Sequence, residues 1–405
     1  MKEVSKPLLS PYRWVILIVM WFAIFVGVVP QFQVAALAYK IIPLFKLNSR
    51  QFAMIFSAPM LSAVFLSLVA GALADKFGVK AIVSSGFVFS ILGVFFRYSA
   101  HDFKELFILM FLSGISSAVL NANASKLLGA WFPKEQMGTA MGIYFSASYT
   151  GMGIALATSA LFPTIKSAFL TAGFLMTGVW ILWMAFIKAK PEGTPDLPFM
   201  PVTRYIGVAA RSRNVWMVGV VMMFFMGATI AFSGFLPNAL HEMRGLNPVK
   251  AGLIASIVTF TNIIGSIIGP VISDYTGKIK PFLAPVALLA AFVMYTSWLV
   301  LPGVSMWALL ALTGILTGII APLLMAFPML LPEIGPVYAG SAGGIIATLQ
   351  LIGAFFIPSF IIAPLAGQNY NMLFALSSFC MLISGAVTLF LPELGFEARK
   401  DTKDS

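Results

Sequence analysis

The residues best suited to chemistry in this chain lie between Asn121 and Lys126, inside a stretch otherwise made of Ala, Ser, Leu and Val. A cation in an apolar segment is costly and marks a route for something that compensates it. Asn123 falls about one helical turn from Lys126, with Asn121 further along, so the three could hold a small anion. Lys126 is also near enough to the end of its segment to extend its ammonium to the interface instead. Arg97 is the second basic candidate, close to the end of another apolar run and to Tyr98 and His101. Acidic residues follow the opposite pattern. Asp75, Asp274, Glu333 and Glu393 all fall at segment ends or in connections, so no mid-segment carboxylate is available to attract a cation. Neutral polar candidates are Gln31, Gln33, Tyr144, Ser148, Tyr149, Asn262 and Gln350, each equally able to make a helix–helix hydrogen bond.

Other chemistries find no support. His101 and His241 lie in polar connections, Cys380 is the single cysteine, and no His/Cys/Asp/Glu group has metal-ligand spacing. No phosphate-binding Gly-Lys-Ser/Thr loop and no nucleophile–base constellation occurs, so neither an enzyme nor a cofactor or metal site is expected.

The elements that must position these residues follow from composition. The chain is 60% hydrophobic and 10% charged, with mean hydropathy +0.96. So much apolar surface exceeds what one aqueous core can bury, and runs of about 20 apolar residues match a hydrocarbon thickness of about 30 Å. An all-α polytopic membrane protein is expected, solvated by the lipid bilayer. Twelve spans can be read, at 14–38, 51–73, 81–99, 106–130, 138–163, 167–187, 214–237, 250–272, 282–301, 305–330, 338–364 and 370–391. The first is too long for the core of a signal peptide and is expected to stay as a span. Residues 188–213 are polar and carry Pro191, Pro195, Pro198 and Pro201, which divides the chain into halves at 1–187 and 214–405 joined by a linker.

The net charge of +11 fits the Lys/Arg bias of cytoplasmic loops better than nucleic-acid binding, because no basic run is interleaved with aromatics. With the N-terminus inside, basic residues divide about two to one in favour of that side. Both termini are therefore expected in the cytoplasm, with the protein in the plasma membrane.

The chain also contains itself twice. Leu47-Asn48 opens a run ending at Asp75-Lys76-Phe77-Gly78, and Leu246-Asn247 opens an equally long run ending at Asp274-Tyr275-Thr276-Gly277. Leu112-Ser113-Gly114-Ile115 recurs as Leu312-Thr313-Gly314-Ile315, and Gly138 to Ile143 recurs as Gly340 to Ile345. Two similar halves in the same order suggest parallel repeats around a central solute site.

The run Gly71 to Lys80 resembles the signature that the major facilitator superfamily carries after its second span, and Gly269 to Lys280 resembles its degenerate second copy. Trp131-Phe132-Pro133-Lys134 leading into Gly138 is similar to the start of the fifth span in many members. The resemblance covers nearly the whole chain and implies twelve helices in two six-helix halves. It also implies alternating access and a cavity bounded by spans one, four, seven and ten, with parts of five and eleven. Gly71, Asp75, Gly78 and Lys80, with Asp274 and Gly277, are implied to latch the cytoplasmic side. Asp75 would meet the start of span eleven near Ala339-Gly340-Ser341, and Asp274 the start of span five near Gly138, where a carboxylate meets unsatisfied N–H groups. The superfamily often carries an arginine in span four; here that position is Met110.

The expected function is secondary transport of a small organic or inorganic anion, with a proton or sodium ion as a coupling partner and the chain acting as a monomer. A neutral solute is the alternative, and multidrug efflux a weaker third.

Overall fold

The computed structural model describes residues 10–133, 136–191, 202–276, 279–331 and 333–393. The first half comprises α1 (Tyr12–Ala36), α2 (Ala38–Leu44), α3 (Ser49–Phe77), α4 (Val79–Phe96), α5 (Phe103–Ser113), α6 (Ile115–Trp131), α7 (Met137–Thr158) and α8 (Ile165–Phe186). A connecting helix, α9 (Val202–Arg211), packs on the second half. That half comprises α10 (Arg213–Arg244), α11 (Pro248–Thr276), α12 (Lys280–Leu299), α13 (Val304–Leu330), α14 (Gly335–Phe356), α15 (Ala363–Ala366) and α16 (Tyr370–Thr388). A π-helical turn, Ile357–Ile362, joins α14 to α15.

Among the described residues, eleven helical stretches are long and apolar enough to cross a membrane, counting α5 with α6 and α14 with α15. The remaining pass, α7, has ample length at 22 residues, but its Gly, Ser and Thr lower its hydropathy. It packs between α1 and α11, where small residues are useful. The protein is an all-helical, multi-pass integral membrane protein. Two local departures from the sequence reading have clear causes. The fourth span breaks at Gly114 into α5 and α6, and α9 forms inside the polar stretch between the halves, tied to α10 by a 2.8 Å hydrogen bond from Trp216 Nε1 to the Ala210 carbonyl.

The repeated Leu-Asn pairs start corresponding helices by the same device. Asn48 Oδ1 accepts from Gln51 N at 2.8 Å while Gln51 Oε1 accepts from Asn48 N at 3.0 Å, and Asn247 Oδ1 accepts from Lys250 N at 2.9 Å. The repeated Leu-Ser/Thr-Gly-Ile marks close crossings. A Cβ on Gly114 would stand 2.5 Å from the Pro59 Cα of α3, and one on Gly314 would meet the Val258 carbonyl of α11.

The halves meet at the end of the bundle far from the chain termini. There Phe52 stacks edge-on against Phe235 with centroids 5.2 Å apart, and Tyr39 meets His241 at 5.4 Å. Ser57 Oγ and Ser359 Oγ share a hydrogen bond at 3.1 Å, and Ser49 donates to the Gly367 carbonyl. One apolar core runs through this end and includes Phe32, Phe56 and Leu156 of the first half with Phe232, Phe235 and Leu240 of the second. At the end nearer the termini the first half has a separate core, around Ile16, Phe87, Leu127 and Trp183. Gly138, Gly142, Gly340 and Gly344 there face open space. Among the described residues, the bundle is thus closed at the far end and parted at the other.

Glu333 ties the connection before α14 to the start of α10, accepting from Ser212 Oγ and Asn214 Nδ2, both at 2.9 Å. Burial alone would raise its pKa, but hydrogen bonds from its backbone, Asn214 and Ser212 outweigh this and hold the carboxyl below its ordinary value. A lowered carboxylate stabilises the fold above its unfolded pKa, and that contribution disappears as pH falls through the folded value. The contribution is small because Glu333 is largely exposed. Glu333→Gln should lower the melting temperature slightly at pH 7, and the difference should shrink as pH falls below the ordinary carboxylate value of about 4.3, closing only beneath the lowered folded value. A difference that persists in acid would show that packing rather than charge is responsible.

Candidate functional site

Between the halves lies a cavity of about 280 Å³. It is built from the middle of α1, α6 and α7 with Met60 of α3 on one side, and of α10, α11, α13 and α14 with Met294 of α12 on the other. Among the described lining residues no side chain is charged. The polar ones are Gln31, Asn121, Ser148, Tyr149, Asn262 and Gln350, joined by Thr229, Ser233, Thr259, Thr313 and Thr317. Phe32, Phe145, Phe225, Phe232 and four methionines supply the apolar wall.

The helical frame decides which of these groups are free to meet a solute. Mid-span threonines return their hydroxyl protons to their own helix, as Thr317 Oγ1 does to the Thr313 carbonyl at 2.7 Å and Thr229 Oγ1 to the Phe225 carbonyl at 3.0 Å. Their lone pairs remain, so they serve mainly as acceptors. Asn262 Nδ2 donates to Thr317 Oγ1 at 3.2 Å, while its Oδ1 is buried without a partner. Tyr144, fully buried behind the lining, donates to Asn121 Oδ1 at 2.8 Å and so turns the Asn121 amide nitrogen away from itself. Gln31 is 2% exposed, and its Nε2 is buried with no partner. Among the described residues, Ser148, Tyr149 and Gln350 make no hydrogen bond to the protein either. A buried amide without a partner carries a substantial desolvation cost. Gln31 carries that amide among the residues lining the cavity between the halves.

Six of the sequence-derived candidates therefore share one cavity: Gln31, Asn121, Ser148, Tyr149, Asn262 and Gln350. Tyr144 supports it from behind. Gln33, Arg97 and Asn123 lie elsewhere. Gln33 Nε2 donates to the Ala168 carbonyl at 2.9 Å and its Oε1 accepts from Arg97 Nη2 at 3.2 Å. Asn123 Nδ2 donates to the Val119 carbonyl of its own helix at 2.9 Å. Lys126 is exposed on α6, beyond Asn121 in the direction of the parted end, and outside the lining. The threonines on α10, α11 and α13 were not candidates, although Thr313 lies in the repeated Leu-Ser/Thr-Gly-Ile register and Thr317 one turn further. The involvement of α11 is the main addition to the expected ring of helices.

Among the latch residues, the side chains of Asp75 and Asp274, and Gly277 entirely, lie outside the described residues. Gly71 borders open space. Gly78 joins α3 to α4 with φ +87°, a backbone region that favours glycine. Lys80 Nζ donates to the Met184 carbonyl in the last turn of α8 at 2.7 Å, where a cation complements the helix dipole. A second depression, of about 340 Å³ between α3, α4, α5 and α6, is almost wholly apolar and offers contact to lipid rather than recognition of a polar solute.

Comparison with known proteins agrees with this architecture. The chain is 25% identical over 354 residues to a protein of Thermus thermophilus named as a probable nitrate/nitrite antiporter, covering 78% of this chain and 76% of that one. It is 24% identical over 302 residues to a probable galactarate/D-glucarate transporter of Escherichia coli, covering 66% and 68% respectively. The crystal structure of a bacterial homolog of the human lysosomal transporter Spinster superposes with a TM-score of 0.72 at 14% identity, covering 94% of this chain and 96% of that one. The profile of the Major Facilitator Superfamily matches residues 14–358. With two repeated halves around a polar cavity and a family match across most of its length, the chain belongs to the Major Facilitator Superfamily of transporters.

Proposed function

We propose that the protein is a secondary transporter that carries a small organic or inorganic anion by alternating access through the cavity between its halves. The observation that carries this reading is an uncharged cavity between the halves whose lining includes Ser148, Tyr149 and Gln350, which among the described residues make no hydrogen bond to the protein, beside the unsatisfied amide of Gln31. Neutral N–H and O–H donors can hold a delocalised anion, and no lining carboxylate opposes it. The relatives named for nitrate, nitrite, galactarate and glucarate support the same class.

With the basic-rich side in the cytoplasm, the parted end opens inward. In this reading Asp75 and Asp274 close that end in the alternate state against the starts of α14 and α7. Gly340 and Gly138, now beside open space, mark those starts. The neutral-solute alternative rests on the uncharged lining, since amide and hydroxyl groups would equally suit a polyol.

Uptake into proteoliposomes of labelled nitrate, glucuronate, glucarate and an uncharged hexitol, with and without proton and sodium gradients, separates the two. Saturable flux of at least one anion, with the hexitol excluded, is the expected result. Flux of the hexitol alone would reverse the reading.

A further inference from the structure

Arg97 is among the largest fully buried side chains, at 0% exposure, and it sits outside the cavity. Its guanidinium donates to the carbonyls of Pro30 at 3.0 Å and Val94 at 3.3 Å and to Gln33 Oε1 at 3.2 Å. The Met110 Sδ is 3.6 Å from Nη1, and the Phe169 ring lies under Cζ at 4.1 Å. Every one of these partners is neutral. The acidic groups at the same end of the bundle are otherwise engaged. Asp102 caps α5 at Glu105 N, Glu105 meets His101, and Glu242 accepts from Asn238 and Tyr370.

A buried guanidinium without a carboxylate leaves a positive potential standing in the first half. Pro30 and Gln33, three residues apart, present one face of α1 to Arg97. Gln31, about 100° around the helix from Pro30, belongs to the cavity lining. The guanidinium also holds the carbonyl of the residue immediately before Gln31. The charge thus lies one helix thickness from the cavity, with protein rather than water between them.

We infer that Arg97 is the fixed countercharge that makes the uncharged cavity selective for anions, acting across α1 without touching the solute. This rests on the anion reading above and says where the attraction originates. Two unit charges about 10 Å apart at an effective dielectric constant of about 20 attract strongly enough to change affinity by about tenfold. Arg97 is accordingly a positioning residue whose influence is electrostatic.

The test uses the full-length protein in proteoliposomes and whichever of nitrate, glucuronate and glucarate the wild type carries. Arg97→Gln removes the charge, and Arg97→Lys keeps it. Because Arg97→Gln also removes hydrogen bonds from a fully buried side chain and so puts folding at risk, a second pair leaves Arg97 in place. Met110→Glu puts a carboxylate within reach of Nη1 and neutralises it, while Met110→Gln is the uncharged control. Arg97→Gln and Met110→Glu should each raise the anion KM about tenfold with kcat within about twofold. Arg97→Lys and Met110→Gln should stay near the wild-type KM. Since the charge is shielded from water, the KM ratios should persist between about 0.05 and 0.5 M salt. An anion KM unchanged in Met110→Glu, or raised equally in Met110→Gln, overturns the inference while leaving the anion reading standing. A wild type that carries only the uncharged hexitol removes both.

Discussion

Replacing Gln31 by Leu should lower kcat/KM for the transported solute at least tenfold while leaving the folded protein intact or slightly more stable. Most polar-to-apolar changes inside a membrane protein confuse function with folding, because the side chain removed was also holding a neighbouring helix. Gln31 avoids this problem. Its Nε2 is buried with no partner in the protein, so the substitution breaks no helix–helix hydrogen bond. Relief of an unsatisfied buried amide contributes about 1–3 kcal/mol in favour of the fold, offset in part by the shape difference between Gln and Leu. The same amide would supply a hydrogen bond to a solute in the cavity, and a site built to hydrogen-bond its ligand discriminates strongly when that bond is lost. Uptake kinetics and thermal unfolding of the same preparation check both halves of the prediction. Unaltered uptake would exclude Gln31 from the solute path, and a large fall in melting temperature would reveal a structural role.

Gly265→Val should have the opposite profile, preventing assembly of the second half whatever solute is present. The faces of α11 and α13 interlock through two pairs of glycines four residues apart. A Cβ on Gly265 would fall on the Ile315 carbonyl and 2.8 Å from its carbon, and one on Gly269 would stand 3.0 Å from the Ile319 Cα. In return Gly314 meets the Val258 carbonyl, and Gly318 lies against Asn262, where a Cβ would be 2.9 Å from Oδ1. These obstacles are largely backbone, so no rotamer change can relieve them, and the helices would have to separate along the whole crossing. Overpacking of this kind costs about 1–3 kcal/mol in tolerant cores, and more where backbone must move. Loss of the monodisperse protein in detergent, or a fall in melting temperature of roughly 10 °C or more at a few degrees per kcal/mol, is expected. Gly178→Val makes a matched control, because a Cβ there meets nothing within 4 Å. Equal stability of the two variants would show that the crossing is looser than the structure indicates.

Much of the architecture was legible in the sequence because the bilayer imposes strong local rules. Runs of apolar residues must become helices, since unpaired backbone groups are too costly in lipid. The internal repeat then divided the helices into two similar sets. The Leu-Asn pairs were readable for a related reason: an asparagine ahead of an apolar run is a local cap, and Asn48 and Asn247 both act as one. The break at Gly114 was not legible as a break, because it depends on how closely α3 approaches.

The candidate site divided along the same line. Residue type identified which side chains could bind a solute, and six of them line the cavity. Residue type could not say which way a polar group points. Gln31 and Gln33 are two residues apart on α1, yet one lines the cavity and the other is committed to Arg97 and the Ala168 carbonyl. Asn121 and Asn123 divide in the same way. Lys126 and Arg97 drew attention as rare charges, and their rarity was a sequence property. That Arg97 has only neutral partners, with α1 between it and the cavity, is a property of four helices meeting at one place. By itself the sequence determined a doubled, twelve-span transporter with few acids inside, because hydropathy and repetition are encoded locally. The tertiary structure alone decided which polar groups remain unpaired, because satisfaction of a hydrogen bond depends on partners far away in the chain.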